Sequence, residues 1–318
     1  MTTVPNKMET NKTENKTFRP QTLKEAVVFR RDAGAIPFLG GTDLMVRYRG
    51  YSGTLPKLTG PVLFLDAVKE LHTLRQDGKT LVIGAAVTYA DFLSVPDLPW
   101  LLYRAVEEIA APGIRNRGTV AGNICNASPA GDVIPPLYVH EASVELARAD
   151  AGGAVETRTL PIGEFFRGPG KTVLQPDELV TAVHIPHLPE GQLYYRKVGT
   201  RKANALSKLS AAGYARVEGG EVRDFRFALG AVAPTVARVT AAENLIIGRK
   251  VDSLLHAGST GTAASDILSA AEQVIRPIDD QRSTAQYRRN VALNALTEFL
   301  EQIVRKTQEQ RSEKGAKT

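Results

Sequence analysis

Two glycine-rich segments contain the residues of this sequence best suited to binding an anion. In the first, Gly40 and Gly41 follow a short apolar run and precede Thr42 and Asp43. The second spans residues 118–132 (GTVAGNICNASPAGD) and combines glycine with short polar side chains. Glycine lets a backbone turn without a side chain in the way, and successive N–H groups of such a turn can converge on a phosphate.

Polar side chains in the second segment extend this chemistry. Asn123 and Ser128 are further hydrogen-bond donors, and Asp132 is a carboxylate suited to ribose hydroxyls. Either segment alone is also compatible with an ordinary turn. Together the two segments predict a clasp around one extended pyrophosphate.

Other phosphate and metal motifs are missing from the sequence. No G-x-G-x-x-G follows a strand pattern, and residues 170–172 (GKT) lack the first P-loop glycine because Phe165 stands in its place. The single cysteine, Cys125, excludes a four-thiolate iron–sulfur cage, and the histidines have no metal-binding spacing. We therefore predict no metal centre on this chain. We interpret Cys125 as buried and inert, with a reactive thiol as the alternative.

Hydrophobic patterning predicts the elements that position these segments. Strands are predicted at residues 35–39, 62–66, 81–85, 143–147 and 179–185, and helices at residues 23–32 and 101–110. Thr88 and Asp91 are spaced as a helix capping box. Residues 115–136 predict a long, ordered, functional loop.

A turn-rich break at residues 186–191 (PHLPEG) is the best domain boundary. Beyond it, alternating runs predict an antiparallel sheet with strands at residues 193–198, 211–217 and 222–229. Helices are predicted at residues 265–275 and 285–305. The fold class is α+β. The predicted units are a disordered tail over residues 1–17, domains over residues 18–190 and 191–305, and a frayed charged tail over residues 306–318.

Composition narrows the functional classes. The chain has 318 residues, 43% of them hydrophobic, and a formal net charge of +6. The cations are interleaved with acidic residues and only 6% of residues are aromatic, which argues against nucleic-acid binding. Positive charge would suit a polyanionic cofactor or an acidic partner. No apolar run approaches the roughly 20 residues of a membrane span, and the start lacks a secretory signal, so we expect a cytoplasmic protein.

The two motifs, in this order, resemble those of a known family. Residues 38–44 (FLGGTDL), 114–123 (IRNRGTVAGN) and 126–132 (NASPAGD) are similar to the FAD-binding medium subunits of the molybdenum hydroxylases, the family of xanthine dehydrogenase and carbon monoxide dehydrogenase. Residues 195–197 (YRK) and 282–289 (RSTAQYRR) are similar to its C-terminal domain. The resemblance implies a two-lobed FAD-binding domain of the vanillyl-alcohol-oxidase/PCMH type, followed by an α+β domain whose antiparallel sheet packs on helices.

The resemblance also implies roles for individual residues. The pyrophosphate and ribityl chain of FAD would be lined by Pro37, Phe38, Leu39, Gly40, Gly41, Thr42, Asp43, Leu44, Thr119, Val120, Ala121, Gly122, Asn123 and Ser128. Asp132 would hold a ribose or ribityl hydroxyl, and Lys197 would lie near the flavin and tune it, with an exposed surface lysine as the alternative. Ile109 and Val180 would pack on the cofactor or serve only the core. The family's usual glycine is Ala121 here.

The implied function is electron transfer. Substrate would be oxidised at a molybdenum–molybdopterin cofactor on a large partner subunit, and electrons would cross [2Fe–2S] clusters on a small subunit to reach FAD on this chain. The family suggests a dimer of heterotrimers and, most commonly, xanthine oxidation with NAD as acceptor. Oxygen, ferredoxin or quinone as acceptor stays open. A self-contained FAD-dependent oxidase or reductase, and a cofactor-free scaffold subunit, are the alternatives.

Overall fold

A three-stranded parallel sheet begins the part of the chain that the computed structural model describes, residues 16–54, 57–255 and 264–315. Its elements are β1 (Thr17–Phe18), α1 (Leu23–Ala33), β2 (Ile36–Phe38), α2 (Leu44–Arg47) and β3 (Val62–Phe64), with β3 in the centre. The Thr22 hydroxyl caps the start of α1, and Gly34, at φ 57°, ends it. The predictions of α1, β2 and β3 are confirmed.

A five-stranded antiparallel sheet in the order β4-β5-β10-β6-β7 forms the second lobe. Its strands are β4 (Leu74–Asp77), β5 (Thr80–Gly84), β6 (Ser143–Ala149), β7 (Val155–Pro161) and β10 (Leu179–Pro186). A small hairpin, β8 (Phe166–Gly168) and β9 (Lys171–Thr172), precedes β10. The helices are α3 (Tyr89–Leu93), α4 (Trp100–Glu107), α5 (Pro112–Arg115), α6 (Val120–Asn126), α7 (Ile134–Val139) and α8 (Ile162–Phe165). The predicted capping box of Thr88 and Asp91 is present at the start of α3.

The prediction of a continuous loop over residues 115–136 was wrong, because α6 lies within it and α7 begins at its end. Glycine and asparagine make α6 a poor helix on propensity alone. It is held instead by the Thr119 cap and by burial of Val120 and Ile124. Two prolines occupy the first turn of α7, where their missing N–H groups cost no helical hydrogen bond.

The C-terminal sheet is antiparallel as predicted, in the order β11-β12-β13-β14. Its strands are β11 (Gln192–Val198), β12 (Leu209–Glu218), β13 (Glu221–Gly230) and β14 (Ala237–Arg238), followed by α9 (Thr240–Ile246), α10 (Ala264–Glu272) and α11 (Ala285–Gly315). Pro186, the first residue of the predicted break, ends β10, and residues 187–191 lie between β10 and β11. Within the described residues, no helix is long and apolar enough to cross a bilayer.

The C-terminal sheet separates two hydrophobic cores because side chains alternate along its strands. On β11, Tyr194 is part of the core shared with α10 and α11, whereas Leu193 and Tyr195 pack against the core of the first domain. On β12, Tyr214 belongs to the first core and Ala215 to the second. One face of β11 is therefore directed at the first domain, and residues on that face can contribute to a site there.

The two predicted tails differ from expectation where they are described. Residues 1–15 lie outside the described residues, but Thr17 belongs to β1 and pairs with Val62. Fraying after residue 305 was wrong over the described part, because α11 continues to Gly315. Lys, Arg, Glu and Gln in this stretch are good helix formers that need no apolar partner to continue an anchored helix.

Candidate functional site

The first glycine motif is the connection between β2 and α2. Gly41 has φ 70°, in the left-handed region that favours glycine, and its carbonyl accepts from the Met45 N–H at 2.9 Å. A β-carbon on Gly41 would stand 2.4 Å from the Phe38 ring. The turn therefore requires glycine at this position for local reasons, before any ligand is considered.

Backbone donors line this turn. Within the described part of the chain, the N–H groups of Gly40, Gly41, Thr42 and Asp43 donate to no protein acceptor. Four consecutive N–H donors with no acceptor among the described residues, next to side chains that are small or short, suit an anionic group.

The second motif is a helix start. The Thr119 hydroxyl accepts from the Gly122 N–H at 2.9 Å, while Val120 and Ala121 are buried beneath the first turn of α6. The interpretation of residues 119–123 as a simple turn is thus corrected: Gly122 and Asn123 are held at the surface end of a short capped helix. Ser128 follows this helix, and its hydroxyl accepts from the Ala130 N–H at 3.3 Å.

The structure brings the two motifs into contact. The backbone of Gly40 lies against the carbonyl of Arg117, where a β-carbon on Gly40 would stand 2.1 Å from the oxygen. A second link joins the Arg47 guanidinium of α2 to Asn126 Oδ1 of α6 at 2.8 Å. The two glycine-rich segments are thus as close together as the predicted clasp around one pyrophosphate requires.

Tyr89 is a site residue that the sequence did not indicate. Its ring packs on Gly118, its N–H donates to the Gly118 carbonyl at 2.9 Å, and its hydroxyl lies beside the Asn123 side chain. Burial raises the pKa of the Tyr89 phenol, so the group stays protonated. Asn123 Oδ1 is buried and has no hydrogen-bond donor among the described residues.

Asp132 and Lys197 form a buried ion pair across the domain interface. Lys197 Nζ lies 2.8 Å from Asp132 Oδ2 and donates to the Glu108 carbonyl, also at 2.8 Å. Only 7% of the Lys197 side chain is exposed, so the surface-lysine alternative is wrong. The Ser207 hydroxyl donates to Asp132 Oδ1 at 2.5 Å. Desolvation raises the pKa of the Asp132 carboxyl, and Lys197 and Ser207 oppose that rise.

Tyr195 lies two residues before Lys197, on the same face of β11. Its hydroxyl is buried and has no partner among the described residues. Desolvation raises the pKa of the Tyr195 phenol well above its ordinary value, and Asp132 and Glu108 raise it further. The Tyr195 hydroxyl and Asn123 Oδ1 are therefore two buried polar atoms without a partner among the described residues.

The remaining predicted residues have simpler surroundings. Ile109 and Val180 are both buried in the first core, at 8% and 6% exposed, which fits either interpretation of them. Pro37 pairs with Leu63 inside the parallel sheet, and Leu39 is packed against the same core. Cys125 is an exposed residue, so its interpretation as buried was wrong, but desolvation raises the pKa of its thiol to about 12, which agrees with its interpretation as inert.

Comparison with known proteins identifies the class. A family model for the FAD binding domain in molybdopterin dehydrogenase matches residues 11–188, and a model for the CO dehydrogenase flavoprotein C-terminal domain matches residues 194–303. These matches define a flavoprotein subunit of an oxidoreductase. The chain belongs to the family of FAD-binding medium subunits of the molybdenum hydroxylases.

Individual relatives agree with this assignment. The glyceraldehyde dehydrogenase medium chain of Sulfolobus acidocaldarius is 30% identical over 266 residues, 81% of this chain and 90% of that protein. The xanthine dehydrogenase FAD-binding subunit of Escherichia coli is 32% identical over 235 residues, 71% of this chain and 76% of that protein. A solved carbon monoxide dehydrogenase from Hydrogenophaga pseudoflava matches at TM-score 0.76 and 27% identity, covering 91% of this chain and 94% of that one.

The residues present fit FAD. The N–H groups of the first motif, which have no acceptor in the described part of the chain, match an anionic pyrophosphate. Asn123 Oδ1 is an acceptor and matches a hydroxyl donor such as those of a ribityl chain. The Tyr195 hydroxyl can donate or accept.

Proposed function

We propose that this chain is the electron-transfer subunit of a heteromeric molybdenum hydroxylase. In this proposal it takes electrons from [2Fe–2S] clusters on a small partner subunit and passes them to NAD or another acceptor. A large molybdopterin-binding subunit oxidises the substrate, and the complex is a cytoplasmic dimer of heterotrimers. The observation that carries the proposal is the contact of the two glycine motifs at Gly40 and Arg117, in a chain of this family.

The chain's own part in this chemistry is to bind and orient the cofactor. FAD supplies the redox chemistry when bound, so the protein needs neither a nucleophile nor a general base. The backbone donors of Gly40, Gly41, Thr42 and Asp43 hold the pyrophosphate. Asn123 and Asp132 orient the hydroxyl-bearing chain between phosphate and flavin, and Ile109 and Val180 supply apolar contact.

The electrostatic effect of Lys197 on the flavin is smaller than that of an unpaired cation. Its ammonium is partly neutralised by Asp132 at 2.8 Å, so the flavin experiences an oriented ion pair. Since the pair is buried, salt screens its field less than that of an exposed charge. Unchanged flavin potential and reoxidation rate in Lys197→Ala would exclude this role.

The oxidised substrate is set by a partner chain. Relatives named for glyceraldehyde, xanthine and carbon monoxide oxidation resemble this chain to similar extents, at 30%, 32% and 30% identity. A xanthine-type substrate remains one proposal among these. Similar flavin subunits serving different substrates support a site that handles electrons alone.

One purification separates this function from its alternatives. The chain is isolated alone and with its co-purifying partners, and absorption spectra and turnover with a set of aldehydes and purines are recorded. We expect a yellow chain that turns over no substrate alone and does so only in the complex. Steady turnover by the isolated chain indicates a self-contained oxidase or reductase. A colourless chain, alone and in the complex, indicates a scaffold.

A further inference from the structure

Ser207 lies outside both glycine-rich segments, yet it contacts Asp132, the last residue of the second one. It is 1% exposed, and its hydroxyl donates to Asp132 Oδ1 at 2.5 Å. The other carboxylate oxygen belongs to Lys197 at 2.8 Å. Asp132 therefore has one donor on each oxygen, and both donors come from the C-terminal domain.

The two donors are at opposite ends of one hairpin loop. Lys197 is near the end of β11, and Ser207 is two residues before β12. The Lys208 N–H donates to the Val198 carbonyl at 2.7 Å and closes the loop at its base. Between these ends the loop is exposed, with Leu206 at 71%. Both ends of the loop thus converge on a single buried carboxylate of the other domain.

We propose that Ser207 is a positioning residue of the FAD site, whose hydroxyl fixes the Asp132 carboxylate and through it the Lys197 ammonium. This inference rests on the proposed FAD-binding function. Asp132 ends the second glycine-rich segment, so the C-terminal domain controls the cofactor site by holding that residue. A buried carboxylate that loses one of its two donors is less stable in its ionised form.

The charge balance around Asp132 makes the proposal testable by pH. The groups facing Asp132 are the Lys197 ammonium, the Ser207 hydroxyl and the phenols of Tyr195 and Tyr89. Burial raises the pKa of Asp132, and removing the Ser207 hydroxyl removes one of the groups that oppose this rise. As pH falls, the Asp132–Lys197 pair is lost once the carboxyl is protonated. That loss should occur at higher pH without Ser207.

The experiment measures the FAD dissociation constant as a function of pH by flavin fluorescence, in wild type, Ser207→Ala and Ser210→Ala. Ser210 is the matched control because it is also fully buried, on the adjacent strand, and its hydroxyl has no partner among the described residues. We expect Ser207→Ala to weaken FAD binding about tenfold, the effect of one hydrogen bond to a charged group. Its acid midpoint should move to higher pH, while Ser210→Ala keeps the wild-type midpoint.

A second pair of variants at the same position tests the proposal if Ser207→Ala folds poorly. Ser207→Thr retains the hydroxyl and Ser207→Val replaces it with a methyl group of similar size, so the difference between the two isolates the hydrogen bond. We expect Ser207→Thr to keep the wild-type acid midpoint of FAD binding and Ser207→Val to move that midpoint to higher pH. Equal midpoints in Thr and Val, or in wild type and Ser207→Ala, would overturn the positioning role. If wild type itself binds no FAD, the proposed function fails instead.

Discussion

The backbone of Gly40 lies so close to the Arg117 carbonyl that a β-carbon on Gly40 would stand 2.1 Å from its oxygen. The contact joins two motifs that come from different parts of the chain and from different lobes. Because the obstructing atom is backbone, it can give way only if one motif moves. The Arg47 to Asn126 hydrogen bond fixes the same two segments a few residues further on.

Gly40→Ala should therefore separate the motifs. We expect loss of FAD retention and a fall in the free energy of unfolding of about 1–3 kcal/mol, the usual cost of forcing an extra methyl group into a packed site. Gly113→Ala is the control, since a β-carbon there meets nothing within 4 Å. Bound flavin per chain and urea denaturation measure the two effects. Full flavin loading in Gly40→Ala would show that the contact does not shape the site.

Gly41→Val should also abolish FAD retention. A branched side chain at this turn would obstruct the approach of the phosphates, but it also meets obstacles within the protein. The structure shows that it would first meet the Phe38 ring and a backbone at φ 70°. Combining Gly41→Val with Phe38→Ala removes the ring and leaves the backbone strain and the altered turn. We expect the double variant to fold better than Gly41→Val, measured by thermal unfolding, and still to lack flavin. Restored flavin binding would place the obstruction in Phe38 alone.

Local sequence patterns predict much of this fold. Helical periodicity over residues 23–32 predicted α1, which the structure shows capped by Thr22 and ended by Gly34, and alternating runs predicted β11, β12 and β13. These signals are local because a cap or a sheet face is set by neighbouring residues. The glycine motifs were visible for the same reason.

The parts of the site that the sequence did not predict depend on packing between residues that are far apart in the chain. Nothing near Tyr89 indicates that its ring meets Gly118, and nothing near Ser207 indicates Asp132. Helix α6 was missed because its stability comes from burial of Val120 and Ile124 against other elements, which propensity does not record. Lys197 was located by resemblance, but its burial could not be judged from a strand pattern that alternates polar and apolar residues.

Lys197→Met should leave the Asp132 carboxylate buried without its cation. Breaking a buried pair from one side typically costs about 3–5 kcal/mol, so we expect a loss of that order in the free energy of unfolding. Adding Asp132→Asn removes the stranded charge and should recover part of the loss. The flavin potential, measured by potentiometric titration, should stay altered in both variants. A wild-type potential in both variants would mean that the pair acts only on stability.

Cys125 should be accessible but slow to react in the folded chain. It lies on α6 between Asn123 and Asn126, within the second motif, and desolvation raises the pKa of its thiol to about 12. Because the thiolate is the reactive form, we expect DTNB to titrate one thiol per chain without denaturant but more slowly than a free cysteine, and bound FAD to slow that reaction further by covering the start of α6. Cys125→Ser provides the blank. A thiol that appears only in denaturant would contradict the exposure, and an equal rate with and without FAD would place the cofactor away from this helix.

Asp280 should contribute stability that is lost in acid. It accepts from the buried Arg288 guanidinium at 2.7 Å and from the N–H groups of Arg282 and Ser283 at 2.8 and 3.2 Å. Desolvation alone would raise its pKa, but these donors outweigh it and hold the pKa of Asp280 far below the ordinary value. A carboxyl whose folded pKa is depressed stabilises the protein above its unfolded pKa, and the contribution fades as pH falls below about 4.

Asp280→Asn should therefore lower the free energy of unfolding by about 1–3 kcal/mol at pH 7, with the difference from wild type narrowing in acid. Asp77→Asn, in an exposed pair with Arg75 at the same 2.7 Å, should change stability little at any pH. Urea denaturation at a series of pH values compares the three proteins, and a difference for Asp280→Asn that stays constant down to pH values well below about 4 would refute the linkage.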